Sequence, residues 1–251
     1  MDNLQLLIDL HKRARRQGPG GDLEIQKMID LAMLDQSSQL KIADIGCGTG
    51  TSALKLANTL NASVIAIDFL PEFIEILQDR IHQEGLAGRV ETLVCSMDDL
   101  PFKDGDLDLI WSEGAIYNMG FSKGINYWKR FLKPDGLLVV SEITWTTNSR
   151  PEEIENHWAQ EYPEIGTASE KINILGQGGY SPIAYFTLPE HCWINNYYRP
   201  MQSGFPDFLS RNGNSSEAKA IVAAEEKEID LYERFKDFYS YGVYVARKLP
   251  E

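Results

Sequence analysis

A glycine-rich turn between two regular patterns constrains this chain more than any other stretch. Residues 40–53 read LKIADIGCGTGTSA, in which a short apolar run leads into Gly46, Gly48 and Gly50 and then into small residues that can begin a helix. Glycine is used where the backbone takes a positive φ or where another group comes close. A strand, a glycine turn and a helix N-terminus in that order predict a binding site for a nucleotide-like ligand at the carboxyl edge of a parallel sheet.

Apolar runs and helical stripes alternate after this turn as far as residue 143. The helical stripes have apolar residues at i, i+3, i+4 and i+7, as in the segment 70–81. The runs are typical of strands buried on both faces, and they cover 62–68, 89–95, 106–112 and 137–143. The alternation predicts an α/β fold with a doubly wound, mostly parallel sheet and right-handed crossovers.

The flanking segments predict further helices and two more strands. Before the turn we expect helices over 4–16 and from Asp22, as the capping residue, to about Leu34. After residue 144 the patterns predict helices over 151–162, 169–176 and 215–236, the last capped by Asn214, and strands over 181–188 and 239–247. Residues 189–213 are rich in aromatic residues, Pro, Asn and Gly and give no clear assignment.

Composition limits the class of protein and the kind of partner. The net charge is −13, whereas nucleic-acid binders need a basic face, so DNA and RNA are not expected as partners. No run of about 18 apolar residues is present, so we predict no membrane span. The first residues lack the order of a signal peptide, which predicts a cytoplasmic protein. The three cysteines have no metal-type spacing, and no metal site is expected.

The glycine turn alone leaves the nucleotide undecided. A P-loop requires a lysine after the glycines, and none follows here. A dinucleotide fingerprint of the form GxGxxA does fit residues 48–53, and Asp68 stands at about the expected distance from it. NAD(P) therefore stays open at this point.

The motifs around the turn, taken together, are more specific. They read DIGCGTG, ASVIAID, SMDDLPF, DLDLIWSEGA and LKPDGLLVVSE, in this order over residues 40–145. This part of the chain resembles the class I S-adenosylmethionine-dependent methyltransferases, most closely their small-molecule branch with the ubiquinone and menaquinone biosynthesis C-methyltransferases. The resemblance implies a seven-stranded sheet whose last strand runs antiparallel. It also implies S-adenosyl-L-methionine as the cofactor.

The resemblance implies a role for each matching residue. The glycines would let the backbone pass under the methionine and ribose parts, and Asp44 would order the turn at the amino end of the cofactor. Asp68 would accept both ribose hydroxyls, since a carboxylate offers two oxygens. The remaining predicted cofactor residues would flank the adenine or the methionine part, and they are Phe69, Ser96, Met97, Asp98, Ser112 and Glu113.

The methyl acceptor is less well defined by the sequence. The segment after the fourth strand reads SEGAIY, which departs from the Asn/Asp-Pro-Pro-aromatic motif of enzymes that methylate DNA bases or glutamine. We expect a small molecule, aromatic or quinone-like, in a pocket lined by aromatic residues that could equally be ordinary core. The predicted pocket residues are Tyr117, Trp145, His157, Tyr180, Trp193 and Tyr197, and the neighbouring Trp158, Tyr162 and Tyr198 belong to the same group. Glu113 and His157 are the candidate general bases.

Several alternatives stay open at the level of sequence. One is an NAD(P)-dependent oxidoreductase, and another is a non-catalytic module that binds the adenosyl cofactor. The basic run ending in Arg15 and Arg16 is either a solvated helix end or part of a lid with a glycine hinge. We predict one domain over 1–251, with residues 1–38 as N-terminal helices or lid, 39–145 as the cofactor-binding half and 146–251 as the acceptor-binding half. A homodimer is a further open alternative.

Overall fold

The computed structural model describes residues 3–250, and one mixed sheet runs through its centre. The strands are β1 (Leu40–Ile45), β2 (Ala62–Asp68), β3 (Val90–Val94), β4 (Leu107–Glu113), β5 (Leu132–Trp145), β6 (Gly166–Thr167), β7 (Tyr180–Thr187) and β8 (Tyr239–Lys248). Their order is β3-β2-β1-β4-β5-β8-β7, with the short β6 paired to β5 outside this path. β8 runs antiparallel to both β5 and β7, and the pairs from β3 to β5 are parallel. The predicted mostly parallel sheet of seven strands with an antiparallel last strand is confirmed.

Helices cover both faces of the sheet. Their bounds are α1 (Asn3–His11), α2 (Asp22–Ala32), α3 (Thr51–Thr59), α4 (Pro71–Gln83), α5 (Phe121–Trp128), α6 (Glu152–Glu161), α7 (Ala168–Gln177), α8 (Glu190–Trp193), α9 (Arg199–Arg211) and α10 (Ser216–Phe235). None of these described helices is long and apolar enough to cross a membrane.

Alternate residues of the central strands belong to two separate cores. On β4, Leu109 and Trp111 pack with α2, α3 and the C-terminal helices, whereas Ile110 packs on the other face with α5 and α7. Because both faces are covered, these strands are apolar at nearly every position. This is why the sequence shows continuous runs here and not a strict alternation of polar and apolar residues.

Two predicted helix caps are wrong. The N-cap of α2 is Gly21, in an extended conformation, and Asp22 is the first residue of the helix. The N-cap of α10 is Ser215, whose side chain accepts a hydrogen bond from Ala218 N, while Asn214 takes a left-handed φ of 51° before it. In both cases the residue that caps is the neighbour of the predicted one.

The segment that the sequence left unassigned is helical. α8 and α9 are joined by a π-helical turn, Ile194–Tyr198. An insertion of this kind breaks the regular 3.6-residue period, so the apolar pattern of the segment does not repeat as in an uninterrupted helix. The turn places Tyr197 and Tyr198 beside α10.

Candidate active site

The glycine turn has a backbone that requires glycine. Gly46, Gly48 and Gly50 have φ values of 75°, 55° and 86°. The amides of Gly46 and Cys47 donate to Ile67 O at 2.8 and 2.9 Å, which fixes the turn to the end of β2. A Cβ on Gly46 would lie 2.3 Å from Ala115 Cβ, so any side chain at this position would clash with Ala115.

A cavity of about 680 Å³ opens at the carboxyl ends of β1, β2 and β4. This edge is where doubly wound sheets bind ligands. The predicted residues that line it are Asp44, Gly46, Gly48, Asp68, Phe69, Ser96, Met97, Asp98, Glu113, Tyr117 and Tyr197. The structure thus brings most of the predicted cofactor residues together around one space, which we call the cofactor end of the cavity.

Asp68 joins the glycine turn to the next helix. Its Oδ2 accepts from Gly48 N at 2.9 Å, and its Oδ1 accepts from Leu70 N at 3.0 Å. Burial raises the pKa of this carboxyl above its usual value, and the hydrogen bonds from the backbone amides oppose that shift. Asp68 also lines the cavity, and because a carboxylate can accept more than two hydrogen bonds, the side chain can accept from a ligand while it holds the turn.

Two more carboxylates face the cofactor end and lack full pairing. Asp44 is 1% exposed, and burial together with the nearby Glu113 charge raises its pKa well above the usual range. Glu113 Oε1 accepts from Ser52 Oγ at 2.5 Å and from Trp111 Nε1 at 2.8 Å. The other oxygens, Asp44 Oδ2 and Glu113 Oε2, are buried and have no hydrogen-bond partner among the described residues. Buried carboxylate oxygens without partners are costly, so they fit a ligand that carries donors or positive charge.

The end of β3 supplies the predicted adenine residues. Ser96, Met97 and Asp98 line the cavity, and Ser96 Oγ donates to Asp98 Oδ1 at 2.6 Å. This hydrogen bond lowers the pKa of Asp98. Trp128 Nε1 donates to Met97 O at 3.0 Å and so holds the loop in place. Phe69 lines the same space and is 67% exposed, so its ring is accessible to a flat ligand.

Six predicted site residues lie away from the cavity, and so do the neighbouring Trp158, Tyr162 and Tyr198 of the aromatic group. Gly50 is the N-cap of α3, where a Cβ would meet Leu77 Cδ1 at 2.1 Å, so its role is in packing. Ser112 is fully buried and donates to Ile45 O at 2.8 Å. The remaining four, which belong to the predicted acceptor pocket, are Trp145, His157, Tyr180 and Trp193.

These four residues have structural partners of their own. Trp193 stacks on Tyr232 at 4.5 Å between ring centroids, and its Nε1 donates to Ser240 Oγ. Tyr180 OH donates to Ile125 O at 2.8 Å, in the core on the face of the sheet that α5 and α7 cover. Trp145 is 5% exposed under the Arg150 guanidinium. His157 lies on α6 beside Trp158, outside the cavity lining, so the structure does not place it as a general base.

The segment between α1 and α2 lies against the glycine turn. The sequence did not predict these contacts. Gln17 Oε1 accepts from Thr49 N at 2.8 Å, and Arg15 O accepts from Thr51 Oγ1 at 2.6 Å. Arg16 lines the cavity, is 9% exposed and contacts Glu113 Oε2 at 3.6 Å. Its NH2 has no hydrogen-bond partner among residues 3–250. Of the two interpretations of the basic run, a solvated helix end does not describe Arg16.

The other end of the cavity is formed by α1, the π-helical turn and α10. Its lining includes His11, Tyr117, Tyr197, Glu225 and Glu228, and we call it the distal end. Of these five, only Tyr117 and Tyr197 were predicted. His11 lies more than 200 residues from Glu225 and Glu228 along the chain, so no local motif could have revealed that they meet.

Three side chains of metal-ligand type also meet outside the cavity. Glu24, His191 and Cys192 bring their ligand atoms within 4.8 Å of one another, and His191 Nε2 lies 3.2 Å from Glu24 Oε1. The cysteine spacing did not predict this group, because its members come from α2 and α8. In the structure, the group joins these two helices.

Comparison with known families identifies the central part of the chain. Residues 42–136 match the family described as "Methyltransferase domain". These residues form a methyltransferase domain. The match covers the sheet from β1 into β5, with the glycine turn, Asp68 and Glu113. The resemblance to class I S-adenosylmethionine-dependent methyltransferases that the sequence predicted is confirmed.

A curated relative and two solved structures show how far the likeness extends. The chain is 34% identical over 110 residues to the ubiquinone/menaquinone biosynthesis C-methyltransferase UbiE of Citrifermentans bemidjiense, covering 43% of this chain and 47% of that protein. In each of three such relatives, the segment that matches this chain covers less than half of the relative's length. An S-adenosylmethionine-dependent methyltransferase from Geobacter sulfurreducens, in complex with S-adenosyl-L-homocysteine, has a TM-score of 0.85 at 17% identity, over 98% of each chain. The [4+2]-cyclase SpnF, with a TM-score of 0.78 at 19% identity over 99% and 94% of the two chains, has the same fold.

Proposed function

We propose that this protein transfers a methyl group from S-adenosyl-L-methionine to a small-molecule acceptor. The observation that carries the proposal is the charge of the cofactor end. Asp44, Asp68 and Glu113 face it, and Arg16 is the one Lys or Arg among the described residues that line the cavity. A ligand with a sulfonium and an ammonium group suits these carboxylates. The pyrophosphate of NAD(P) would add two negative charges beside them, so the charge argues against the oxidoreductase alternative.

The residues present fit the proposed cofactor. The Asp68 carboxylate, which lines the cavity, suits the ribose hydroxyls, and Asp44 Oδ2, which has no hydrogen-bond partner among the described residues, suits the ammonium group. Arg16 NH2 lies 3.9 Å from Asp22 Oδ1 but makes no hydrogen bond with the described residues, so it can donate to a carboxylate of the ligand. When bound, the cofactor supplies an electrophilic methyl group, and the protein positions the acceptor for in-line displacement, which can lower the barrier by roughly 7–11 kcal/mol.

The distal end favours an enzyme over a module that only binds the cofactor. The cavity continues past Glu113 to Tyr117 and Tyr197, so there is room for a second molecule beside the cofactor. Its volume lies within the range typical of small-molecule sites, about 300–1,000 Å³. Nucleic acid is not proposed as the acceptor, because the net charge is −13. A cytoplasmic location, the division into cofactor and acceptor halves, the N-terminal lid and the homodimer stay predictions.

Thermal denaturation with S-adenosylhomocysteine and with NAD⁺ or NADP⁺ tests the proposal. S-adenosylhomocysteine at about 100 times its Kd stabilises a protein by about 2.7 kcal/mol, which for this length corresponds to a rise in Tm of roughly 5–10 °C. We expect this rise with S-adenosylhomocysteine and none with NAD⁺ or NADP⁺. A rise with the dinucleotides alone would refute the proposal.

A further inference from the structure

We propose that the acceptor of this enzyme carries a cationic amine, and that Glu225 and Glu228 bind this amine at the distal end of the cavity. The inference rests on the proposed function and adds to it the chemical class of the acceptor. It differs from the quinone-like acceptor that the sequence favoured.

The two carboxylates stand three residues apart on α10 and therefore share one face of the helix. Both line the cavity. Glu225 Oε1 lies 3.3 Å from His11 Nε2, and Glu228 Oε1 accepts from Tyr198 OH at 3.0 Å. Within the part of the chain that the structure describes, the second oxygen of each carboxylate makes no hydrogen bond. An ammonium group has three donors and matches these free acceptors.

One basic side chain, His11, lies beside the carboxylates, and it is charged only when protonated. Among described residues, the lining of the cavity includes no Lys, and its Arg16 is engaged with Glu113 at the cofactor end. Glu228 is an exposed residue, yet desolvation of its carboxyl and the neighbouring Glu225 charge raise its pKa, while His11 opposes this shift. Two negative charges at this place therefore repel each other. A bound ammonium relieves this repulsion, whereas a carboxylate or phosphate on the acceptor would increase it.

The walls around the carboxylates are aromatic and apolar. Tyr197 stacks on His11 with 6.4 Å between ring centroids, and its hydroxyl makes no hydrogen bond with described residues. Aromatic faces attract cations, which adds to the attraction of the glutamates. Leu7 and Tyr117 also line the cavity and are 38% and 44% exposed. These surfaces fit an apolar body attached to the amine.

Matched sets of small ligands test the charge of the acceptor. Each set keeps one apolar body and changes the head group, as in phenethylamine, phenylethanol and phenylpropanoate, with an aliphatic set of the same design. Tm is measured on protein saturated with S-adenosylhomocysteine. A ligand at about five times its Kd should raise Tm by about 2–4 °C. We expect a further rise with amines and none with the matched alcohols and carboxylates.

Variants of α10 connect this response to the two glutamates. Glu225→Gln/Glu228→Gln retains the size and the hydrogen-bond acceptors toward His11 and Tyr198. It should weaken amine binding by about tenfold or more. Glu226→Gln, an exposed residue on the same helix outside the cavity lining, is the matched control and should bind amines as the parent does.

The outcomes separate the two proposals. If S-adenosylhomocysteine fails to stabilise the parent protein, the proposed function fails. If it stabilises the parent and both variants, the cofactor proposal stands. In that case the amine proposal is overturned by any of three results: no amine raises Tm at about 10 mM, carboxylates or alcohols raise it equally, or the double variant responds as the parent does.

Discussion

Replacement of Asp68 by alanine should have two separate effects, because its carboxylate holds the glycine turn and also lines the cavity. Without any ligand, the variant loses the hydrogen bonds from Gly48 N at 2.9 Å and Leu70 N at 3.0 Å. Hydrogen bonds to charged groups contribute about 1.5–3 kcal/mol each. The side chain is partly exposed and water can replace part of this loss, so we expect the free energy of unfolding to fall by about 2–4 kcal/mol in total.

The same substitution should also weaken cofactor binding. If Asp68 accepts the ribose hydroxyls, the variant should bind S-adenosylhomocysteine about tenfold more weakly or worse. Asp68→Asn keeps one acceptor oxygen and should show roughly half of each free-energy change. Urea denaturation without ligand measures the first effect, and isothermal titration calorimetry with S-adenosylhomocysteine measures the second.

A matched control distinguishes loss of the ribose contacts from general destabilisation. Asp108 lies at the amino end of β4, where its Oδ2 accepts from Lys41 N at 2.8 Å and Lys133 Nζ pairs with both oxygens. Asp108→Ala should therefore lower stability to a similar degree while the affinity for S-adenosylhomocysteine stays within about twofold. An Asp68→Ala variant that binds as tightly as the Asp108→Ala variant would refute the position assigned to the ribose.

Three further predictions concern other charged groups. Arg16→Gln should weaken S-adenosylhomocysteine binding about tenfold by calorimetry, because Arg16 lines the cavity and its buried NH2 makes no hydrogen bond with the described residues. Arg15→Gln, at a side chain 68% exposed, should change it little. Lys171→Met should lower the free energy of unfolding, measured in urea, by about 3–5 kcal/mol, because Glu142, 0% exposed, loses its ion pair. The double variant Lys171→Met/Glu142→Leu should recover most of that loss. The raised pKa of Asp44 means that the folded state binds its proton more tightly than the unfolded state, so this group destabilises the fold as pH rises through that pKa. Asp44→Asn should therefore exceed the parent in stability without cofactor at about pH 8, and the advantage should shrink toward about pH 5; an advantage that grows on acidification would contradict this sign.

The features that could be predicted from the sequence are those set by local patterns. The glycine turn and the strands of the central sheet follow from residues adjacent in sequence, because burial on both faces requires continuous apolar runs. Cap positions were less certain, since Asp22 and Asn214 each have a neighbour that can serve equally well. The π-helical turn at Ile194–Tyr198 was not predicted, because it departs from the helical period.

The aromatic acceptor pocket shows the limit most clearly. Tyr197 lines the cavity, but Trp193, four residues earlier in the chain, packs in the core against Tyr232. The composition of this segment cannot distinguish the two, because both are large aromatic residues in a helical stretch. His11 and Glu225 approach each other only because α1 and α10 pack together. Contacts between distant parts of the chain of this kind have no signature in a single sequence.

The position of the distal end has a consequence for protein engineering. His11 comes before the methyltransferase domain of residues 42–136, and Tyr197 and Glu225 come after it. The segments that would select the acceptor are therefore separate in sequence from the glycine turn and from Asp68. A chimera that keeps residues 42–136, Tyr117 among them, and takes α1, the π-helical turn with α9, and α10 from a related enzyme should exchange the acceptor while it keeps the cofactor. Because α1 packs on both C-terminal helices, these three helices must be exchanged as one set.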